Sequence, residues 1–340
     1  MDSLQLVNNI ELCLNAKLTP LVVGQPAAGK SEIIKQIAEK RNASFIDIRL
    51  AQLEAQDLSG LVYPNEEAGT FSYLPLDMFP LKGLQPKPNR DVIILLDELT
   101  SAQPDVCVAA YRLILDRQVG AYDLHDNVYL VAAGNREIDG AVVNPLPTPL
   151  VSRMVHFELN VSVSAWLRWA SESKRIDSRI IAYINYAGHM LNTFNTFESD
   201  DTMAFAAPRP WEMLSKLITP MAKVTYELTE LISGVIGSKA ATGFINFCEV
   251  YKSLPDYKDI ITNPLKVKIP EQGNLAMATI ININSRVNKT DIAIATQYVN
   301  RFPMEYQTLF YQTLVYGNKL LLVSPPVRDW VSNNSDLFNM

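Results

Sequence analysis

The chain of 340 residues is long enough for two domains and a sizeable core, and its apolar fraction of 48% is that of a globular protein. A formal charge of −6 provides no basic excess for gripping phosphate backbones, which argues against a dedicated nucleic-acid binder. No apolar run reaches membrane-spanning length and no basic segment precedes an apolar core near Asp2 and Glu11, so the expectation is a soluble, cytoplasmic protein without membrane insertion.

Residues 3 to 17 carry Leu4, Val7, Ile10, Leu12 and Leu14 at roughly helical spacing, which predicts a short packing helix. The apolar run Leu18 to Val23 then reads as a buried strand. It runs into Gly24-Gln25-Pro26-Ala27-Ala28-Gly29-Lys30-Ser31, which fits G-x-x-x-x-G-K-[ST], and Glu32 to Arg41 follows with Ile33, Ile34, Ile37 and Ala38 at helical spacing. A loop joining a strand to a helix N-terminus is what phosphate binding needs, because its backbone N–H groups converge on the anion. Lys30 would neutralise the β- and γ-phosphates, and the Ser31 hydroxyl would complete a magnesium shell.

Ser44 to Leu50 reads as a second strand and Ala51 to Leu58 as the start of a helix. The stretch from Ser59 to Lys82 is broken by glycines and prolines around Thr-Phe-Ser-Tyr-Leu, a candidate hairpin strand, and it is too long for a minimal connection. Its aromatic residues Tyr63, Phe71 and Tyr73 either pack the insert onto its own domain or touch a substrate. Gln85 to Arg90 reads as a solvated loop.

Asp91 to Glu98 is the second anchor, a buried strand ending in two adjacent carboxylates. Their roles divide: Asp97 holds magnesium, while Glu98 polarises the water that attacks the γ-phosphate. A helix over 102 to 115 and a turn-rich hairpin over 116 to 127 lead to the core strand Val128 to Gly134, which delivers Asn135 and Arg136 to its carboxyl end. Ligands bind at that edge of an open α/β sheet, so Asn135 is placed to orient the attacking water. A short helix or turn, Pro145 to Arg153, leads to the last strand, Met154 to Leu159. Beyond it the pattern is helical, with one helix opening at Pro208.

Cys13, Cys107 and Cys248 form neither a C-x-x-C pair nor a metal-ligand set and read as buried free thiols in a reducing compartment. The histidines His125, His156 and His189 share no ligand spacing. Asn160-Val-Ser resembles a glycosylation site, which a cytoplasmic location makes coincidental.

Taken together, these motifs resemble those of AAA+ ATPases, and in detail the MoxR-like branch of the dynein- and midasin-related group. The resemblance covers roughly residues 1 to 250 and rests on Gly24 to Ser31 as Walker A, Ile93-Ile-Leu-Leu-Asp-Glu98 as Walker B, Ala132-Ala-Gly-Asn135 as sensor 1, and Pro147-Thr-Pro-Leu-Val-Ser-Arg153, which ends at the arginine-finger position. Ala207-Pro-Arg209 stands where the family carries sensor 2. The loop departs from the family at Ala27, where a glycine is usual.

The resemblance implies a P-loop α/β domain over 1–160 with inserts near 59–82 and 116–127, a helical lid over 161–253, and a helical extension over 254–340. ATP and Mg2+ are the implied cofactors, with the nucleotide held by Gly24, Gln25, Pro26, Ala27, Ala28, Gly29, Lys30, Ser31, Glu32 and Arg209. Ser31 and Asp97 would hold the metal, and Lys30, Glu98, Asn135 and Arg153 would carry the chemistry. The implied assembly is a hexameric ring in which Arg153 reaches a neighbour's nucleotide, coupled to a protein partner such as a von Willebrand factor A domain protein. An ATP-gated scaffold with negligible hydrolysis and a DNA-directed motor are the competing readings.

Overall fold

The computed structural model describes the chain except for residues 68, 140–143, 197–202, 252–253, 318–320, 322 and 339–340. It divides into two compact units, Met1–Val161 and Ser162–Met340. The boundary expected between 253 and 254 falls at residues outside those described.

The first unit is built on a parallel sheet of β1 (Thr19–Gly24), β2 (Ser44–Arg49), β5 (Val92–Asp97), β8 (Val128–Gly134) and β9 (Met154–Leu159), in the spatial order β2-β5-β8-β1-β9. Parallel strands joined by crossover helices are covered on both faces, so their inner strands are apolar throughout. In β5 the alternation is explicit. Val92, Ile94 and Leu96 enter one core with Leu21, Leu130 and Ala132, whereas Ile93 and Leu95 enter the other with Val22, Val131 and Ala133. The first core is closed by α4 (Pro104–Asp116) through Val106, Ala110 and Leu113, and the second by α1 (Ser3–Asn15) and α2 (Lys30–Lys40) through Ile10, Ile34 and Ile37.

The short packing helix expected over residues 3 to 17 forms as α1. It buries Leu6, Ile10, Cys13 and Leu14, while Leu4 and Leu12 face solvent. The stripe that packs is the 6, 10, 13, 14 set, whose steps of four, seven and eight keep one helical face, and Leu12 lies off it. The expected helix from 51 is shorter, a 3₁₀ turn at Leu50–Gln52 and then α3 (Ala55–Ser59).

Two antiparallel hairpins are inserted: β3 (Leu61–Asn65) with β4 (Thr70–Leu74), and β6 (Gln118–Val119) with β7 (Tyr122–Asp123). In the first, Val62 lies opposite Tyr73 and Pro64 opposite Phe71, so all four share a face. Phe71 is 76% exposed and Tyr73 51%, so most of this face is open to solvent, with Tyr73 beside Gly120 of the second hairpin. The loop over 85 to 90 is tied down, with His125 Nε2 against the Gln85 carbonyl at 3.0 Å and Asn127 Nδ2 donating to the carbonyls of Pro88 and Arg90. The β9 histidine, His156, places Nε2 2.7 Å from the Val151 carbonyl, so two of the three histidines are matched by backbone.

The second unit is helical among the described residues: α6 (Val163–Ser173), α7 (Ser178–Tyr186), α8 (Pro208–Ile218), α9 (Thr229–Ile236), α10 (Ser238–Tyr251), α11 (Tyr257–Thr262), α12 (Gly273–Arg286), α13 (Ile292–Val299), α14 (Met304–Gly317) and α15 (Pro325–Asn333). Trp211, fully buried, packs against Tyr183 and Phe244. Farther along, Ile280, Ile283, Tyr298, Phe302, Phe310 and Tyr311 form a separate core. All three cysteines are buried free thiols, and burial pushes Cys13 and Cys107 up, which keeps them protonated and unreactive. No described helix is long and apolar enough to cross a membrane.

Candidate nucleotide site

The loop after β1 enters α2 at Gly29, whose φ of +94° is a conformation that L side chains rarely adopt. A Cβ there would meet nothing within 4 Å, and the helix opens without a side-chain cap. The first-turn amides of α2 therefore face the loop's hollow with the positive end of the helix dipole behind them. Ala27 also takes a left-handed backbone, at φ +59°. The family's usual glycine thus coincides with a position where a Cβ is strained, at about 1–2 kcal/mol for an L residue. Ala27→Gly is expected to recover up to about 1 kcal/mol after the added chain entropy of glycine, raising Tm by about 2–4 °C in a melting experiment.

Lys30 is buried, and its ammonium donates to the carbonyls of Gly24 (2.9 Å) and Gln25 (3.0 Å) and to Asn135 Oδ1 (2.9 Å). A buried ammonium needs such acceptors, and here they come from both the loop and the end of β8. Ser31 Oγ donates to Asp97 Oδ2 at 2.6 Å, joining the start of α2 to the end of β5. The other Asp97 oxygen, Oδ1, accepts from the Glu98 N–H at 2.9 Å. Glu98 itself sits at φ +59°, and among the described residues its carboxylate forms no hydrogen bond or ion pair. Strain held at one residue with an unengaged carboxylate is the pattern of a functional position. Sheet register explains the convergence: β8 lies between β1 and β5, so the carboxyl ends of all three strands meet.

The hydroxyl of Ser31 and the Asp97 carboxylate are the hard oxygen donors that magnesium takes beside phosphate oxygens and water, so the donor set fits that ion. Glu32, in the first turn of α2, accepts from Gln36 Nε2 along its own helix at 3.2 Å. Pro26 and Ala28 shape the turn, in which the Ala28 N–H donates to the Gln25 carbonyl at 3.4 Å.

One expected site residue of the first unit, Arg153, is not in this cluster. Arg153 precedes β9, where Met154 pairs with Thr19, whereas the loop begins at Gly24, which pairs with Leu159. Five residues of strand, roughly 17 Å, separate Arg153 from the loop's edge of the sheet. Its guanidinium is exposed, donates to the Pro149 carbonyl at 2.7 Å and lies over the Tyr111 ring at 5.2 Å. Arg209 is in the first turn of α8, in the second unit, and is exposed, with no hydrogen bond or ion pair of its guanidinium among the described residues.

Arg136, just after Asn135, is engaged within its own chain. It makes a bidentate pair with Asp139 (2.8 and 2.7 Å) and a third bond to Glu158 Oε1 at 2.8 Å. The Asp139 hydrogen bonds, ahead of the opposing effect of burial, raise its proton affinity above the ordinary arginine value.

Two polar residues of this region were not singled out from the sequence. Thr100 is buried beside Asn135, and its only sequence cue is its place two residues after Glu98. On β2, Asp47 is pushed above the usual aspartate range, first by burial and then by the Asp97 charge. A carboxyl that is easier to protonate in the folded state gives a contribution that is lost as pH rises through the carboxylate range. Asp47→Asn is therefore expected to raise Tm at pH 7, with the gain shrinking as pH falls through the raised folded-state value and gone below about 3.9. Melting curves across pH 3 to 8 check the sign.

The sequence matches no family model, and no curated protein is similar to it. Among solved structures it is similar to the RuvB Holliday junction branch migration motor of Thermotoga maritima, at 17% identity over 87% of each chain with a TM-score of 0.41. A second is a Cytophaga hutchinsonii protein assigned as an ATPase, at 13% identity over 90% of this chain and 79% of that one, TM-score 0.37. A third is NtrX from Brucella abortus in complex with ADP, at 12% identity over 92% of this chain and 68% of that one, TM-score 0.38. All three likenesses are distant, and the fold is read from this chain's own strands and loop. Strand order, phosphate loop and the facing acidic pair together give the chain the P-loop α/β fold that resemblance to the AAA+ ATPases implies.

Proposed function

We propose that the chain is an AAA+ ATPase of the MoxR-like branch that hydrolyses ATP with Mg2+ in a ring of its own copies to remodel a protein partner. The observation that carries this reading is the cluster at the carboxyl edge of the sheet, where Lys30 is held by Gly24, Gln25 and Asn135 while Ser31 reaches Asp97. Residues Gly24 to Glu32 would surround the phosphates, with the α2 amides and Lys30 matching their charge. Ser31 and Asp97 would hold magnesium, which would supply positive charge to the phosphate. Glu98 orients and deprotonates the attacking water, and Asn135 fixes its direction. Arg153 serves the site of a neighbouring copy. Residues 161–253 act as a helical lid that brings Arg209 to the nucleotide, and residues 254–340 extend it.

The exposed face of Val62, Pro64, Phe71 and Tyr73 supports a protein partner, of which a von Willebrand factor A domain protein is the type implied by the resemblance. A six-membered cytoplasmic ring belongs to the same implication.

ATP turnover measured against protein concentration, with oligomer mass followed in the same samples, tests the reading. Turnover per chain should climb as rings form. ATP-induced rings without turnover would replace it with the scaffold, and DNA binding with a steep salt dependence would replace it with the DNA-directed motor.

A further inference from the structure

Asn135 lies one residue past the end of β8, so its backbone N–H and C=O have left the ladder that satisfies those of the strand. Thr100 meets both. Its buried Oγ1 accepts from the Asn135 N–H at 2.9 Å and donates to the Asn135 carbonyl at 3.2 Å. One hydroxyl can accept and donate at once, which neither an aliphatic nor an acidic side chain of this size can do.

The approach depends on the preceding residue. A Cβ on Gly134 would stand 2.6 Å from both Thr100 Cγ2 and Oγ1. Only a hydrogen fits there. Thr100 also belongs to the turn that follows Glu98, whose carbonyl accepts from the Ser101 N–H at 2.9 Å. On the other side, the Thr100 carbonyl accepts from the Asn144 N–H at 2.7 Å, and Asn144 Nδ2 donates to the Ala102 carbonyl at 2.8 Å. Asn144 lies four residues before Thr148, where α5 (Thr148–Val151) begins just ahead of Arg153.

We propose that Thr100 is a positioning residue for hydrolysis: its hydroxyl clamps the backbone of Asn135, holding the amide side chain at Lys30 and in register with Glu98. The proposal rests on the ATPase reading. The turn bearing Thr100 is a single short segment, so a shift at Glu98, at Asn135 or at Asn144 is transmitted to the other two. The hydroxyl touches neither the loop nor the metal donors, so losing it should leave nucleotide affinity largely intact and act on the chemical step.

The test compares wild type, Thr100→Val, Thr100→Ser and Gly134→Ala for kcat, KM and ATP affinity, together with amide hydrogen exchange at Asn135 and Tm. Thr100→Val keeps the shape and removes the hydroxyl. It should speed exchange at Asn135 by about tenfold or more and lower kcat by about 10- to 100-fold with KM within about twofold of wild type. Thr100→Ser should restore both, and Gly134→Ala, which pushes the hydroxyl away from the opposite side, should reproduce the Val phenotype. Wild-type kcat and unchanged Asn135 exchange in Thr100→Val would overturn the proposal. So would a loss of kcat that tracks Tm and that serine fails to rescue. If Thr100→Val does not fold, Thr100→Cys takes its place with the same expected direction. A wild type that binds ATP without turning it over would sink the ATPase reading separately. Exchange at Asn135 would then decide the clamp, faster in the variant supporting it and unchanged overturning it.

Discussion

Arg153→Ala is expected to lower ATP turnover by about 10³- to 10⁵-fold, the range over which a cation supplied to a transferring phosphoryl group acts in related enzymes. The residue cannot do this in its own chain. Register puts it beside the amino end of β9, five strand residues from the edge where Gly24 opens the loop. There its guanidinium is exposed, donating to the Pro149 carbonyl and to Ser152 Oγ, with the Tyr111 ring beneath it. An effect of that size therefore requires a second copy. Mixing provides the sharper check: Arg153→Ala and Glu98→Gln chains, each inactive alone, should recover turnover together, because an intact site in the first can meet an intact arginine from the second. Mixed rings that stay inactive would rule out the shared site.

Glu98→Gln should leave ATP binding in place while turnover drops by about 10²- to 10⁴-fold, the usual contribution of a positioned base. Asp97 is committed on both oxygens, one to Ser31 and one to the Glu98 N–H, whereas the Glu98 carboxylate has no such partner among the described residues. Its left-handed backbone, at φ +59°, holds a conformation that costs about 1–2 kcal/mol for an L residue. Binding measured by fluorescence of a labelled nucleotide, beside phosphate release, separates the two functions. Loss of binding in Glu98→Gln would mean that the carboxylate holds the ligand rather than activating water.

These two residues differ in how they can be checked. Glu98 stands next to Asp97 in one chain, and its setting is visible in a single copy. Arg153 stands away from its own chain's loop, so only the mixing of two variants reads whether it acts on another copy.

The local architecture around the phosphate loop is written in the chain itself. A buried strand, a glycine-punctuated loop and an amphipathic helix are each encoded within about a dozen residues, so Lys30, Ser31 and the end of β5 could be placed without knowing any distant contact. The folded sheet set everything that depends on strand order and on facing surfaces. It put β8 between β1 and β5, which brings Asn135 Oδ1 to Lys30. It chose the Leu6, Ile10, Cys13, Leu14 face of α1 over the one carrying Leu4 and Leu12, because helical spacing permits several stripes and the sheet selects one. Thr100 was illegible for a related reason. A threonine after two acids has no pattern of its own, and its meaning comes from a glycine 34 residues later that leaves room for its hydroxyl. Hydrophobic periodicity is written locally in the chain, but hydrogen bonds between strand ends exist only once the sheet has set which ends are neighbours.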